Sequence, residues 1–224
     1  MGTDVRLGAM DGVFTVAGVR PARDGMTISR DARLGSENTV TFFALGAGTS
    51  ISRERYDMTS MYIGALGEAV FLTGDDAGRQ SFLDGDMLIV PGGTLCGVES
   101  GSGAVYTEII IKKEINMNNL VKAGEVMKLK NLIQYEEGSI SNLDIVSNPT
   151  MKFVLMAFDE GTGLQPHRAP GNAIIFALEG KAVIGYEGKD YTISAGENFR
   201  FEKNGLHSVT ADGKFKMALL LVIE

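Results

Sequence analysis

The chain of 224 residues has no tryptophan, five prolines, two histidines and one cysteine. The single cysteine, Cys96, cannot form an internal disulfide, and this fits a reducing cytosol. The longest apolar run, MALLLVI, is much too short to span a membrane as a helix. The first residues lack the uninterrupted apolar region of a signal peptide, so we expect a cytoplasmic protein without a membrane partner.

Basic charge is also scarce. The 21 Lys and Arg residues are outnumbered by 28 Asp and Glu residues, which gives a formal net charge of -7. Nucleic acids bind proteins that present a basic face, so we expect no nucleic-acid partner. The sequence also lacks a P-loop, a dinucleotide-binding fingerprint and a G-x-S-x-G motif.

Glycine, in contrast, is abundant at 29 residues, and it separates short apolar or alternating segments. TVTFFAL, AVFLT and DMLIV in the first half, and NAIIFAL, KAVIGY and NFRFE in the second, are typical of strands bounded by turns. Their regular spacing predicts an all-β sandwich or barrel. Only residues 119–136 have a pattern that a helix could adopt, and they lie where a linker is expected.

One pattern of glycines and apolar residues occurs twice along the chain. Gly180 lies 113 positions after Gly67 (180 − 67 = 113), and the apolar residues around the two glycines match. A turn is shorter in the second copy, so Gly196 lies 111 positions after Gly85 (196 − 85 = 111). A repeat of this length predicts two tandem β domains. The predicted domains are residues 1–114 and 115–224.

The spacing of these glycines resembles the two sequence motifs of the cupin superfamily. Gly161, His167 and Gly180 fit the first motif, and Gly196 and His207 fit the second. The stretch HRAPGNA is similar to the corresponding turn of single-domain proteins of the "cupin 2 conserved barrel" type. The resemblance implies a bicupin, with two tandem antiparallel jelly-roll barrels.

The same resemblance implies a metal site that is incomplete in this chain. A full cupin site gives three histidines and a glutamate to a metal ion, but here Ala169 and Ala173 stand at two of the four positions. His167 and His207 remain as candidate metal ligands. Gln165 is the nearest candidate third ligand, because alternate residues of a strand face the same side. The expected cofactor is one weakly held divalent ion (Zn, Ni, Mn or Fe) or none.

Two functions fit this pattern. In the first, the C-terminal barrel binds a small anionic or polar metabolite through His167 and His207, with or without a metal. In the second, a metal on the same histidines acts as a Lewis acid in an isomerase, lyase, hydrolase or oxygenase reaction. The sequence favours the binding protein, and it leaves open whether the chain is an enzyme.

The first barrel is expected to have no comparable site. Glu54 and Cys96 occupy the positions of the two histidines there, so we expect this barrel to serve as a packing partner, with Cys96 as a small buried residue. We also expect a homodimer, because cupin barrels present broad faces and edge strands. The alternative is that the apolar runs NTVTFFAL and MALLLVIE pack between the two barrels of one chain.

Overall fold

The computed structural model describes residue 10, residues 12–35 and residues 38–223 of the chain. Residues 1–9, for which we expect no signal peptide, lie outside the described part. The described chain consists mainly of antiparallel strands, and this confirms the all-β prediction. Within it, no helix has the length and apolar character needed to cross a membrane.

In the described residues, the strands form two nine-stranded sheets, and each sheet folds over on itself as a jelly-roll barrel. The sheet of the first barrel contains β2 (Thr27–Asp31), β3 (Asn38–Leu45), β4 (Thr49–Arg55), β5 (Thr59–Thr73), β6 (Gly78–Leu83), β7 (Asp86–Val90), β8 (Leu95–Ser100), β9 (Ala104–Ile111) and β11 (Met127–Lys128). The sheet of the second barrel contains β1 (Val13–Phe14), β10 (Asn116–Met117), β12 (Ile140–Asn148), β13 (Met151–Phe158), β14 (Gly163–Arg168), β15 (Asn172–Tyr186), β16 (Lys189–Ser194), β17 (Asn198–Phe201) and β18 (Leu206–Val222). A single helical turn, α1 (Val16–Val19), follows β1.

The two barrels repeat the same strand plan. Strands β5 and β15 have 15 residues each, and β6 and β16 have six each. Gly67 and Gly180 both have left-handed φ values, of +72° and +77°. A Cβ atom at Gly67 would lie 2.2 Å from the carbonyl oxygen of Gly103, and one at Gly180 would lie 1.9 Å from that of Lys214. Only glycine fits both constraints, so the sequence repeat reflects one backbone geometry used twice.

Short strands connect the barrels in both directions. Strand β1 pairs with β17 of the second barrel, with Val13 opposite Phe199. Strand β11 pairs with β7 of the first barrel, with Met127 opposite Met87. A division of the chain at residue 114 therefore separates strands that are hydrogen-bonded to each other, and the predicted domain boundary stays a prediction.

The segment 119–136 does not form the helix that its pattern permits. It contains β11 and a 3-10 turn over Leu129–Asn131. Gly124 adopts a φ of +82°, which a right-handed helix does not allow. Burial between the barrels outweighs helix propensity in this segment. The residues that it buries are Val121, Leu129 and Ile133.

The largest hydrophobic core lies between the two barrels. One face of the first sheet packs against one face of the second, and Phe42 and Leu220 are completely buried there. Two smaller cores fill the interiors of the individual barrels. Residues of the apolar runs NTVTFFAL and MALLLVIE therefore contribute to a core within one chain, which is the alternative to a dimer that the sequence left open. The homodimer stays a prediction, and these runs do not support it.

Replacing Gly180 by alanine should destabilise the protein strongly. The new Cβ atom would need both a left-handed φ and the space that the carbonyl of Lys214 occupies. We expect the free energy of unfolding to fall by about 3 kcal/mol. Gly188→Ala is the matched control, because Gly188 has a φ of +78° but no atom within 4 Å of the place that a Cβ atom would take. That variant should lose about 1 kcal/mol. Equal losses in urea unfolding would contradict the predicted close contact.

Candidate functional site

The structure brings the two histidines together in the second barrel. His167 on β14 is directly opposite His207 on β18 in the strand register. Their ring centroids are 4.2 Å apart, with the ring planes inclined at 51°. His207 is buried, with 8% of its surface exposed, whereas His167 is exposed to solvent. The pair therefore extends from the surface into the barrel wall.

Backbone carbonyl groups fix the tautomer of both rings. His167 Nδ1 lies 2.8 Å from the carbonyl oxygen of Gln165, and His207 Nδ1 lies 3.1 Å from that of Gly205. A carbonyl oxygen only accepts hydrogen bonds, so both Nδ1 atoms carry the proton and donate it. In the neutral rings, both Nε2 atoms therefore present lone pairs, which can accept a hydrogen bond or bind a metal.

Burial favours the neutral form of His207. Desolvation lowers the pKa of His207 below its ordinary value of 6.5, and the nearby charge of His167 lowers it further. The ring of Phe201 stacks on His207, with the ring centroids 4.1 Å apart. His207 is thus positioned between an aromatic ring and a second imidazole, and the neutral form of imidazole is the one that binds metals.

Gln165 contributes to the site through its backbone. The register between β14 and β18 shifts between Leu164 and His167, which indicates a bulge or irregularity at Gln165. Gln165 was chosen as a candidate third ligand because alternate residues of a regular strand face the same side, and the strand is not regular at that point. The interaction that the structure shows for Gln165 is its carbonyl contact with His167. A ligand role for its side chain stays a prediction.

The residues around the pair do not form a complete metal centre. The described part of the chain contains no group of three or more His, Cys, Asp or Glu residues that could hold a metal ion. Ala169 and Ala173 are both buried at the positions where the cupin motif has ligands. Glu202, a nearby carboxylate, pairs with Arg200 at 2.8 Å. The protein therefore offers two imidazole nitrogens, and a bound ion would take its other ligands from water or from a small molecule.

The first barrel contains a cavity that the sequence pattern did not predict. Its volume is about 210 Å³. The packing role expected of this barrel stays a prediction. Cys96 lines it and is buried, and desolvation raises the pKa of this thiol to about 11. The aromatic and ionisable residues of the lining are Phe43, Tyr56, Tyr62, Phe71, Cys96, Tyr106 and Glu108.

Side chains at equivalent positions of the two barrels differ in size. Phe199 and Phe201 are buried in the interior of the second barrel. The repeat offset of 111 places the smaller Leu88 and Val90 at the same two positions of the first barrel (199 − 88 = 111; 201 − 90 = 111), where they belong to its core, whereas other residues line the cavity.

A further cavity, of about 260 Å³, lies between the barrels. Residues of both barrels line it, including Ile63 of the first and Phe176 of the second. Lys128 at its edge pairs with Asp86 at 2.7 Å. A sequence pattern read one strand at a time cannot predict this space, because it exists only where the two sheets meet.

The fold and the histidine pair define a class of protein: two jelly-roll barrels, the second with paired imidazoles. The Cupin domain family matches residues 154–223, the part that contains both histidines. This match lies within the second barrel and covers less than half of the chain, and it shows that this part is similar to a cupin domain. No curated protein matches the sequence.

Solved structures share the fold, among them the following three. A cupin 2 conserved barrel domain protein from Leptotrichia buccalis has 22% identity and a TM-score of 0.83, covering 96% of this chain and 100% of its own. Salicylate 1,2-dioxygenase from Pseudoaminobacter salicylatoxidans, as an adduct with gentisate, has 12% identity and a TM-score of 0.63, covering 94% and 73%. AerE from Microcystis aeruginosa has 12% identity and a TM-score of 0.51, covering 88% and 98%. At these identities the similarity establishes the fold alone.

The burial of His207 can be tested by an NMR titration of its ring signals. We expect His207 to titrate below pH 6.5, and His167→Ala to raise its midpoint by removing a neighbouring positive charge. His207 has a lower pKa in the folded chain than in the unfolded chain, so as the pH falls the unfolded chain is protonated before the folded one. The free energy of unfolding should therefore decrease below about pH 6.5. A midpoint at or above 6.5 in the unmodified protein would contradict the burial of His207.

Proposed function

We propose that the protein is a small-molecule-binding bicupin, and that its second barrel binds its ligand through the Nε2 atoms of His167 and His207. The observation that carries this proposal is the tautomer of the pair. Two neighbouring imidazoles both direct their Nδ1 protons to backbone carbonyls, so two lone pairs are available at one place in the barrel wall. Such an arrangement can accept hydrogen bonds from a ligand or bind a metal ion.

This chemistry narrows the ligand class expected from the sequence. A neutral ring with its proton on Nδ1 offers no donor at Nε2 to an anion. A ligand that binds the pair directly therefore presents N–H or O–H groups. An anionic metabolite would bind through a divalent metal that both imidazoles hold, since zinc and nickel accept imidazole nitrogen readily. When bound, such an ion would supply positive charge for the ligand.

The surroundings of the pair favour binding over turnover. General acid–base catalysis needs a positioned group that transfers protons, and among the described residues no carboxylate or thiol joins the two histidines in a cluster. The dioxygenase named above shares the fold at 12% identity, so its reaction gives no separate support for oxygenase chemistry in this chain. The enzyme alternative therefore has no specific observation in its favour.

Metal titration of the purified protein tests the site. We expect Zn²⁺ or Ni²⁺ to bind with a stoichiometry of about one per chain in calorimetry. His167→Ala and His207→Ala should each weaken that binding by about tenfold or more, because one of two protein ligands is removed. Gln165→Ala should retain the affinity within about twofold, since the carbonyl that orients His167 is unchanged.

Cys96→Ala is the control in the first barrel, where the thiol occupies the position equivalent to His207. It should bind the metal like the unmodified protein. Loss of metal binding in Cys96→Ala, with both histidine variants unaffected, would show that the site lies in the other barrel. If the unmodified protein binds neither ion, the metal route is excluded, and native mass spectrometry for a co-purified molecule becomes the test of direct binding.

A further inference from the structure

We propose that the first barrel binds a small organic cation, an ammonium or quaternary ammonium compound, in its aromatic cavity, with Glu108 as the counter-ion. This site is separate from the histidine pair, and neither proposal depends on the other. The proposal of a cation site rests on the position of one carboxylate among several aromatic rings.

The walls of the cavity are mainly aromatic. Phe43 stacks on Tyr106 with the ring centroids 5.4 Å apart, and Tyr62 lies 5.9 Å from Tyr106. Phe71 closes the group, 4.7 Å from Tyr62. Tyr56, with 47% of its surface exposed, lines the cavity where it meets solvent. Aromatic faces carry negative electrostatic potential, so a cage of this kind attracts cations, and quaternary ammonium groups in particular.

Glu108 lies in this cage on a strand that is mainly apolar. Strand β9 has the sequence AVYTEIII, and Glu108 is opposite Tyr62 on β5 in the strand register. The offset of 111 places Leu219 at the equivalent position of the second barrel (219 − 108 = 111), where it packs against the barrel core. A carboxylate thus replaces a hydrophobic residue in a barrel interior, without being needed by the fold that the two copies share.

The carboxylate has no cationic partner in the described part of the chain. Two effects act on it there: burial raises the pKa of Glu108, and a hydrogen bond from the Tyr62 hydroxyl opposes that rise. The other ionisable groups facing the cavity are tyrosine hydroxyls and the Cys96 thiol, and none of these carries a positive charge. Glu108 is half-buried, and a partly desolvated carboxylate without a counter-charge is unfavourable, so the cavity is best matched by a ligand that brings a positive charge.

The cavity volume sets the size of the ligand. At about 30 Å³ for each water molecule in the liquid, 210 Å³ corresponds to roughly seven non-hydrogen atoms. Choline and tetramethylammonium are of this size or smaller, and choline has a neutral isostere, 3,3-dimethyl-1-butanol, in which carbon replaces nitrogen. Comparing choline with this isostere isolates the contribution of the charge.

Calorimetry with these three probes tests the site. We expect the unmodified protein to bind choline and tetramethylammonium, and to bind the neutral isostere at least tenfold more weakly. Glu108→Gln should weaken choline binding by about tenfold or more and leave the isostere unchanged. Glu114→Gln removes an exposed carboxylate just beyond β9, and it should leave choline binding unchanged.

A second pair of variants separates the aromatic contribution from the charge. Phe43→Leu removes a ring from the cavity wall and should weaken choline binding about tenfold. Phe42→Leu changes the adjacent residue, whose ring is buried between the barrels, and it should keep the affinity. The histidine variants should also bind choline normally. Thermal unfolding of each variant shows whether it is folded.

Three results would overturn the proposal. The first is that neither cation binds the unmodified protein at roughly 10 mM. The second is that the neutral isostere binds as tightly as choline, which would make the cavity a site for apolar molecules. The third is that folded Glu108→Gln binds choline as tightly as the unmodified protein, which would show that Glu108 is not the counter-ion.

Discussion

The face-to-face packing of the two barrels is the constraint on which the rest of the structure depends. The core between them contains fully buried residues from both sheets, among them Phe42 and Leu220. It also buries the connecting segment through Leu129, while β1 and β11 each add a strand to the opposite barrel. Because this core, together with the turn glycines, fixes both barrel backbones, the interior of each barrel can change without changing the fold.

The interiors of the two barrels differ in the size of their side chains and in their polar groups. The second barrel has large rings, Phe199 and Phe201, and its polar feature is the histidine pair in the wall, where His207 stacks on Phe201. The first barrel has smaller residues at the equivalent places and retains a cavity with Glu108 in its lining. The same strand plan thus produces a filled barrel with an imidazole pair and a hollow barrel with a carboxylate. This is why similarity of fold says little about which ligands the chain binds.

The sequence predicted the features that depend on spacing along the chain. Turn glycines such as Gly67 and Gly180 recur at fixed positions because the backbone geometry demands them, so the repeat and the fold could be predicted. The histidines could be aligned because each fits its own motif. The cavity of the first barrel could not be predicted, because empty volume depends on all the side chains that face inward. The one available signal was Glu108 within the apolar strand AVYTEIII. The bulge at Gln165 could not be predicted either, because the prediction assumed that the strand was regular there.

The most direct test of this division between the barrels is chemical-shift mapping of one sample to which Zn²⁺ and then choline are added. The chain has two histidines and six tyrosines, so the ring signals of both sites can be followed together. We expect Zn²⁺ to shift the signals of the two histidines, and choline to shift those of the tyrosines that line the cavity, among them Tyr62 and Tyr106, without shifting the histidine signals. If choline shifted the histidine signals, or if Zn²⁺ shifted those of the two tyrosines, the assignment of separate sites to the two barrels would be wrong.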